Sequence, residues 1–134
     1  MQLTNVMDAV ELTRQMIDIP SVSGDEGPLA DGVEEALRSA GFGSVPALEI
    51  LRDGDAVCAR TRLGLTQRVV LAGHLDTVPI ADNVPGRFEE RDGATVMWGR
   101  GSVDMLGGCA AALALACEVG AAIREGNDAT LNAD

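Results

Sequence analysis

The stretch LAGHLDTVP, residues 71–79, holds the only histidine of the chain, His74, with Asp76 two residues after it. The apolar run Val69 to Ala72 leads into this histidine and is typical of a strand buried on both faces. Residues two apart on a strand point to the same side. We therefore expect His74 and Asp76 side by side at the carboxyl end of a buried strand, where open α/β sheets place their ligand sites.

Three helices are predicted around this strand. The first covers residues 5–18 and ends before Pro20, and its apolar face is predicted to comprise Leu3, Val6, Met7, Val10 and Ile17. The second follows the polar loop 21–28 and runs to about Ala40. Ser23 or Asp25 is predicted to cap its N-terminus, with Pro28 in the first turn, and Gly41 and Gly43 are predicted to end it. Its apolar stripe comprises Leu29, Val33, Leu37 and Ala40. The third, residues 109–123, is apolar nearly all round, so we expect it to be covered on several sides.

The remaining segments predict hairpins and a glycine-rich turn. Asp53-Gly54 lies between two short apolar runs in residues 47–63 and predicts a hairpin turn. Asp92-Gly93 gives the same hairpin signal in residues 87–99. The stretch GRGSVDMLGG, residues 99–108, carries Asp104 and leads into the apolar helix. The order of helices and strands indicates an α/β fold. Because a sheet normally continues after such a helix, we expect residues 1–134 to be the N-terminal portion of a longer catalytic domain.

Composition excludes several classes of protein. The chain has 134 residues, 46% hydrophobic and 23% charged, as in a globular domain. Its net charge of −11, with arginine as the only basic residue type, predicts no nucleic-acid or membrane partner. The acidity either helps to hold metal cations or only keeps the protein soluble. The N-terminus lacks a secretory signal and the three cysteines form no CxxC pair, so we expect reduced thiols in a cytoplasmic protein.

The residues alone leave the role of this site open. His74 and Asp76 suit a metal ligand with a carboxylate that fixes its tautomer, or a simple surface hydrogen bond beside a turn. Asp104 is placed among glycines either to reach across to His74 or to cap the next helix. A nucleophilic Ser102 is a weaker alternative, because its surroundings do not match the Gly-x-Ser-x-Gly elbow.

LAGHLDTVP followed about thirty residues later by GRGSVDMLGG closely resembles the two signature segments of the co-catalytic zinc aminoacylase/carboxypeptidase family, the M20-type metallopeptidases. The surrounding sequence most resembles the actinobacterial succinyl-diaminopimelate desuccinylases of that family. The resemblance implies a three-layer α/β/α zinc-peptidase-like catalytic domain. It implies that His74 binds one of two zinc ions, or cobalt in their place, and that Asp104 bridges both. Asp76 would be the catalytic residue that orients His74, and the peptide bond Asp104-Met105 would be cis.

The reaction implied is hydrolysis of an amide bond in a small N-acyl amino acid, N-succinyl-L,L-diaminopimelate, in lysine and cell-wall precursor synthesis in the cytoplasm. Acetylornithine, another N-acyl amino acid or a peptide is the alternative substrate. Leu106 stands where the family usually has lysine. The Glu-Glu motif that supplies the general base, the other metal ligands and the lid domain used for dimerisation are expected to follow position 134, so the intact protein would be a homodimer.

Two rival classes remain open. One is an inactive fragment or pseudoenzyme that binds at most one metal ion weakly. The other is a non-enzymatic interaction domain whose exposed apolar helix face binds a partner. For either, and for an incomplete enzyme, we expect the 134-residue chain to lack desuccinylase activity. Because residues 109–123 offer almost no polar face, we also expect it to self-associate, to bind a complementary segment or to expose apolar surface that binds a hydrophobic dye.

Overall fold

The structure, a computed structural model, describes residues 2–41 and 48–134. The helices are α1 (Ala9–Ile17), α2 (Gly27–Gly41) and α3 (Gly107–Arg124). The strands are β1 (Glu49–Asp53), β2 (Ala56–Arg60), β3 (Arg87–Arg91) and β4 (Ala94–Trp98). An irregular helical turn, Ser102–Leu106, precedes α3, and a 3₁₀ turn, Asp128–Thr130, follows it. These helices and small sheets confirm the α/β class and are consistent with part of a catalytic domain of the predicted kind.

Helix α1 begins later than predicted because an aspartate caps it. The Asp8 side chain accepts hydrogen bonds from the backbone N–H groups of Val10 and Glu11, each at 3.1 Å. An N-cap carboxylate of this kind satisfies donors that have no partner within the helix. The helix therefore starts at Ala9, and the predicted residues 5–8 lie outside it.

The buried face of α1 also differs from the prediction. Leu12 and Met16 are fully buried together with Ile17, while Met7 and Val10 are each 60% exposed. Met7 precedes the helix, and Val10 lies on the side opposite Leu12 and Met16. The expectation was correct for Ile17 and for Leu3, which is 6% exposed, and wrong for Met7 and Val10.

Helix α2 follows the prediction closely. It begins at Gly27 with Pro28 in the first turn and ends at Gly41, and Leu29 and Leu37 are buried. Glu26, and not the predicted Ser23 or Asp25, directly precedes Gly27, and its carbonyl accepts the backbone N–H groups of Leu29 and Ala30. The predicted terminator Gly43 and the start of the segment 47–63 lie outside the described residues.

Helix α3 packs against α1 and α2 through one face. Ala110, Leu113 and Cys117 are buried there, whereas Leu115 on the other side is 49% exposed. Neighbours from the part of the chain that the structure describes lie mainly on that side, so these residues do not supply the cover expected on the other sides of the helix. Residues Ser102–Arg124, with mean hydropathy 1.8, are long and apolar enough to cross a membrane by length and composition. The core helix of a globular protein has the same features, and the packing on α1 and α2 fits that explanation.

Both predicted hairpins are present. Strands β1 and β2 pair antiparallel with Gly54 and Asp55 as the turn, one residue beyond the predicted Asp53-Gly54, and β3 and β4 pair around Asp92-Gly93. Asp92 and Gly93 both have positive φ, 51° and 78°, as a two-residue type I′ turn requires. Arg52 joins the first hairpin to α2 through Glu34 at 3.1 Å.

The predicted buried strand at residues 69–72 is not found. Val69, Val70 and Leu71 are 68%, 76% and 59% exposed, and we call these three residues the apolar edge. A strand buried on both faces needs neighbours that cover it. Within residues 2–41 and 48–134, β1 pairs only with β2 and β3 only with β4. Among the described residues, the backbone of the apolar edge forms one hydrogen bond, from Val69 N–H to the carbonyl of Asp134. The run therefore stays at the surface.

Candidate metal site

The loop after α1 holds the segment that carries His74 and Asp76. The backbone N–H of Thr77 donates to Ser21 O at 2.8 Å, and Ser23 N–H donates to Thr77 O at 3.0 Å. The Ser21 hydroxyl donates to the carbonyl of Leu75, also at 2.8 Å. This short parallel pairing fixes the end of the extended segment, although the segment itself has no sheet around it.

The structure brings His74, Asp76 and Asp104 together, as the sequence predicts. His74 Nε2 lies 3.0 Å from Asp104 Oδ1. His74 Nδ1 lies 3.1 Å from both the carbonyl oxygen and the Oδ1 of Asp76. One ring nitrogen is therefore held by the same segment, and the other faces a carboxylate from the glycine-rich turn. The roles of the three residues remain predictions.

Hydrogen bonds also shift the pKa values of His74 and Asp76. The Asp76 carbonyl, assisted by the carboxylates of Asp104 and Asp76, raises the pKa of His74 above its usual value. The Ser23 hydroxyl donates to Asp76 Oδ2 at 2.7 Å and is the main cause of the lowered pKa of Asp76, with His74 adding to it. Asp76 is therefore a carboxylate at neutral pH, able to hold the Nδ1 proton of His74 in place.

The glycine-rich turn brings Asp104 to the histidine. Asp104 has φ −131° and ψ 91°, outside helical values, and its peptide bond to Met105 is cis, as the resemblance implied. Its carboxylate is 87% exposed and has His74 as its hydrogen-bonding partner. Gly101 makes the close approach possible: a Cβ there would lie 2.7 Å from Thr77 Cγ2.

Two supporting residues were missed by sequence reasoning. Ser23 was considered only as a helix cap, and Cys109 only as a reduced thiol. The Cys109 Sγ donates to the backbone carbonyl of His74 at 3.2 Å, and burial raises the pKa of this thiol, so it keeps its proton. Both contacts join residues far apart in sequence, 53 apart for Ser23 and Asp76, so no local pattern signals them.

Ser102 does not pair with the histidine. It lines the same open cavity of about 340 Å³ as His74, Asp76 and Asp104. Both ring nitrogens of His74 face the two aspartates, and no hydrogen bond between described residues joins Ser102 to the ring. The serine-nucleophile alternative therefore lacks its base.

The site offers two metal donors, the His74 Nε2 and the Asp104 carboxylate. Across residues 2–41 and 48–134 no three His, Cys, Asp or Glu side chains are grouped to hold a metal ion. Leu106, which replaces the lysine usual in the resembled family, is 1% exposed and belongs to the core beneath the site.

Comparison with known proteins agrees with the motifs. The family model for peptidase family M20/M25/M40 matches residues 70–128, which include all three site residues. The succinyl-diaminopimelate desuccinylase of Corynebacterium glutamicum is 50% identical over 103 residues, 77% of this chain and 26% of that protein. The chain belongs to peptidase family M20/M25/M40.

Two further relatives are less similar to the chain. The succinyl-diaminopimelate desuccinylase of Phenylobacterium zucineum is 37% identical over 127 residues, 91% of this chain and 32% of that protein. A LysW-lysine hydrolase of Deinococcus radiodurans is 40% identical over 99 residues, 74% of this chain and 24% of that protein. The chain thus spans about a quarter to a third of the length of these relatives.

Proposed function

We propose that the chain is part of a metal-dependent amide hydrolase that removes the succinyl group from N-succinyl-L,L-diaminopimelate. The observation that carries the proposal is the 3.0 Å approach of His74 Nε2 to Asp104 Oδ1, with His74 Nδ1 held by Asp76. The names of relatives at 50% and 37% identity support the choice of substrate. The biosynthetic role, the cytoplasmic location and a homodimeric intact enzyme are part of the same proposal.

The donor chemistry of the site fits zinc. Imidazole nitrogen and carboxylate oxygen are both common zinc ligands. His74 Nε2 and the exposed Asp104 carboxylate would hold the metal, with Asp104 offering a second oxygen to a second ion. Two donors do not fill the four positions around zinc, so further ligands are required. When bound, the metal supplies a Lewis acid that activates water and polarises the acyl carbonyl.

The residues of this chain prepare the histidine for that role. Asp76 accepts a hydrogen bond from Nδ1–H of His74, and in the neutral ring this leaves the lone pair on Nε2 for a metal ion. Ser23 donates to Asp76 and Cys109 donates to the His74 carbonyl, which fixes the carboxylate and the backbone around the ring. Asp76, predicted as the catalytic residue, therefore acts as a positioning residue through His74. The proton acceptor for the attacking water is the family's glutamate, expected after position 134, so we propose that this chain alone releases no succinate.

A second substrate class is favoured by one relative. The 40% identical protein of Deinococcus radiodurans is named a LysW-lysine hydrolase, not a desuccinylase. We expect His74, Asp76 and Asp104 to serve either substrate.

Cobalt titration of the purified chain tests the metal-site proposal, because the visible absorption of Co²⁺ reports its ligands. We expect the wild type to bind, and His74→Ala and Asp104→Asn to weaken binding by at least about tenfold. Asp53→Asn, an exposed aspartate at the end of β1, is the matched control and should bind like the wild type. Equal affinity in Asp104→Asn and in the control would overturn the proposal.

A further inference from the structure

Arg100 differs from the other arginines of this chain. Eight of them form ion pairs with carboxylates, and Arg124 donates to the carbonyl of Ala40. Within the described residues, no ion pair or side-chain hydrogen bond is formed by Arg100, and its Nε is buried without a partner. Since buried donors are normally satisfied, this Nε–H group calls for a partner beyond the residues that the structure describes.

The position of Arg100 points to a ligand. It lines the open cavity together with His74, Asp76 and Asp104, on the turn just before Ser102–Leu106. Its backbone N–H donates to Asn83 O at 2.8 Å, which fixes the main chain at this point. The two aspartates of the cavity lie beyond ion-pair distance of Arg100 and contact His74 instead. Arg100 therefore adjoins the site, and it also borders the apolar side chains of Ile17, Ile80 and Leu106.

We infer that Arg100 binds a carboxylate group of the substrate. A guanidinium presents its donors in a planar fork that matches a carboxylate, and such pairs are stronger than neutral hydrogen bonds. The inference rests on the proposed function, since a succinylated amino acid carries carboxylates on both its acyl and its amino acid parts. Arg100 would fix one of them while the amide bond lies near His74 and Asp104.

The metal-free full chain, labelled with ¹⁵N-arginine, provides the test. The buried Nε–Hε group of Arg100 gives its own NMR signal, which Arg100→Lys and Arg100→Gln would assign. Succinate probes the acyl part and L-alanine the amino acid part, with sodium chloride at matched ionic strength as the control salt. We expect a saturable shift with the probe whose carboxylate binds to Arg100, and a smaller, non-saturating shift with chloride.

The variants complete the test. Arg100→Gln should weaken binding of that probe by about tenfold or more, as expected when one charge-assisted pair is lost. Arg100→Lys should retain part of the affinity, and Arg62→Gln, whose arginine pairs with Glu49 on a distant hairpin, should not change it. Unaltered affinity in Arg100→Gln, or a wild-type Nε signal that responds to chloride as to both probes, would overturn the inference. If Arg100→Gln does not fold, the wild-type titration alone decides.

The outcome is independent of the metal-site proposal. Because the titration is done without metal, carboxylate binding at Arg100 can be found even if cobalt binding fails. Conversely, cobalt binding at His74 and Asp104 with no response at Arg100 would refute only the inference about the carboxylate.

Discussion

His74 Nε2 lies 3.0 Å from Asp104 Oδ1, although the two residues are 30 positions apart in sequence. The contact depends on two backbone approaches. The loop at Ser21 and Ser23 holds the end of the extended segment, and Gly101 lets the following turn come close to Thr77. The metal-site proposal depends on this juxtaposition.

Removing the Ser23 hydroxyl should raise the pKa of Asp76. In Ser23→Ala the carboxylate loses its strongest stabilising hydrogen bond, so its protonated form becomes relatively more favourable. A pH titration of the Asp76 carboxyl carbon by NMR measures this shift. Ser39→Ala, at an exposed serine of α2, is the matched control. A pKa of Asp76 that is the same in both variants would contradict the assigned role of Ser23.

The first hairpin should lose stability in acid. Arg60 and Arg62 bond to Glu49 at 2.5 and 2.6 Å and lower the pKa of its carboxyl to about 2. Because the unfolded value is near 4.5, the stabilisation is complete above that pH and is lost as the pH falls towards 2. Denaturant unfolding between pH 6 and about pH 2.5 should therefore show a larger acid-induced decrease in stability for the wild type than for Glu49→Gln. Equal decreases, or a Glu49 pKa above 4, would refute the prediction.

Leu106→Ala should destabilise the chain by about 2–5 kcal/mol, the usual loss for a buried leucine. Leu106 is 1% exposed and lies against Gly101 beneath the site. The half-exposed Leu115 of α3 provides the control, because Leu115→Ala should cost much less. Chemical denaturation of both variants measures the difference. Comparable losses would show that Leu106 is not the core residue described.

The sequence predicts turns and helices better than it predicts which side chains are buried by neighbouring elements. Asp92-Gly93 specifies its hairpin because the turn residues themselves need positive φ. The convergence of His74 and Asp104 was also predictable, through the glycines and the motif resemblance. The start of α1 was missed because Asp8 competes as a cap, and burial of Val70 was wrong because burial depends on neighbours in space. Ser23 and Cys109 act through contacts that no local spacing encodes.

The apolar edge should make the isolated chain bind a neutral hydrophobic dye or self-associate. Val69, Val70 and Leu71 expose a contiguous apolar strip, and screening limits charge repulsion to about 8 Å at physiological salt. Val70→Asp should reduce dye fluorescence and the sedimentation-derived mass. Val10→Asp is the matched control, since Val10 is exposed alone on α1. A compact monomer without dye binding at high concentration would contradict the expectation.

The most direct test of the metal site is ¹⁵N NMR of the imidazole ring during zinc addition. His74 is the only histidine, so its two ring nitrogens give an unambiguous pair of signals. We predict that zinc shifts Nε2 while Nδ1 keeps its proton and its hydrogen bond to Asp76, and that Asp104→Asn reduces the response. Zinc binding that leaves Nε2 unchanged, or that removes the proton from Nδ1, would contradict the assignment of His74 as the ligand.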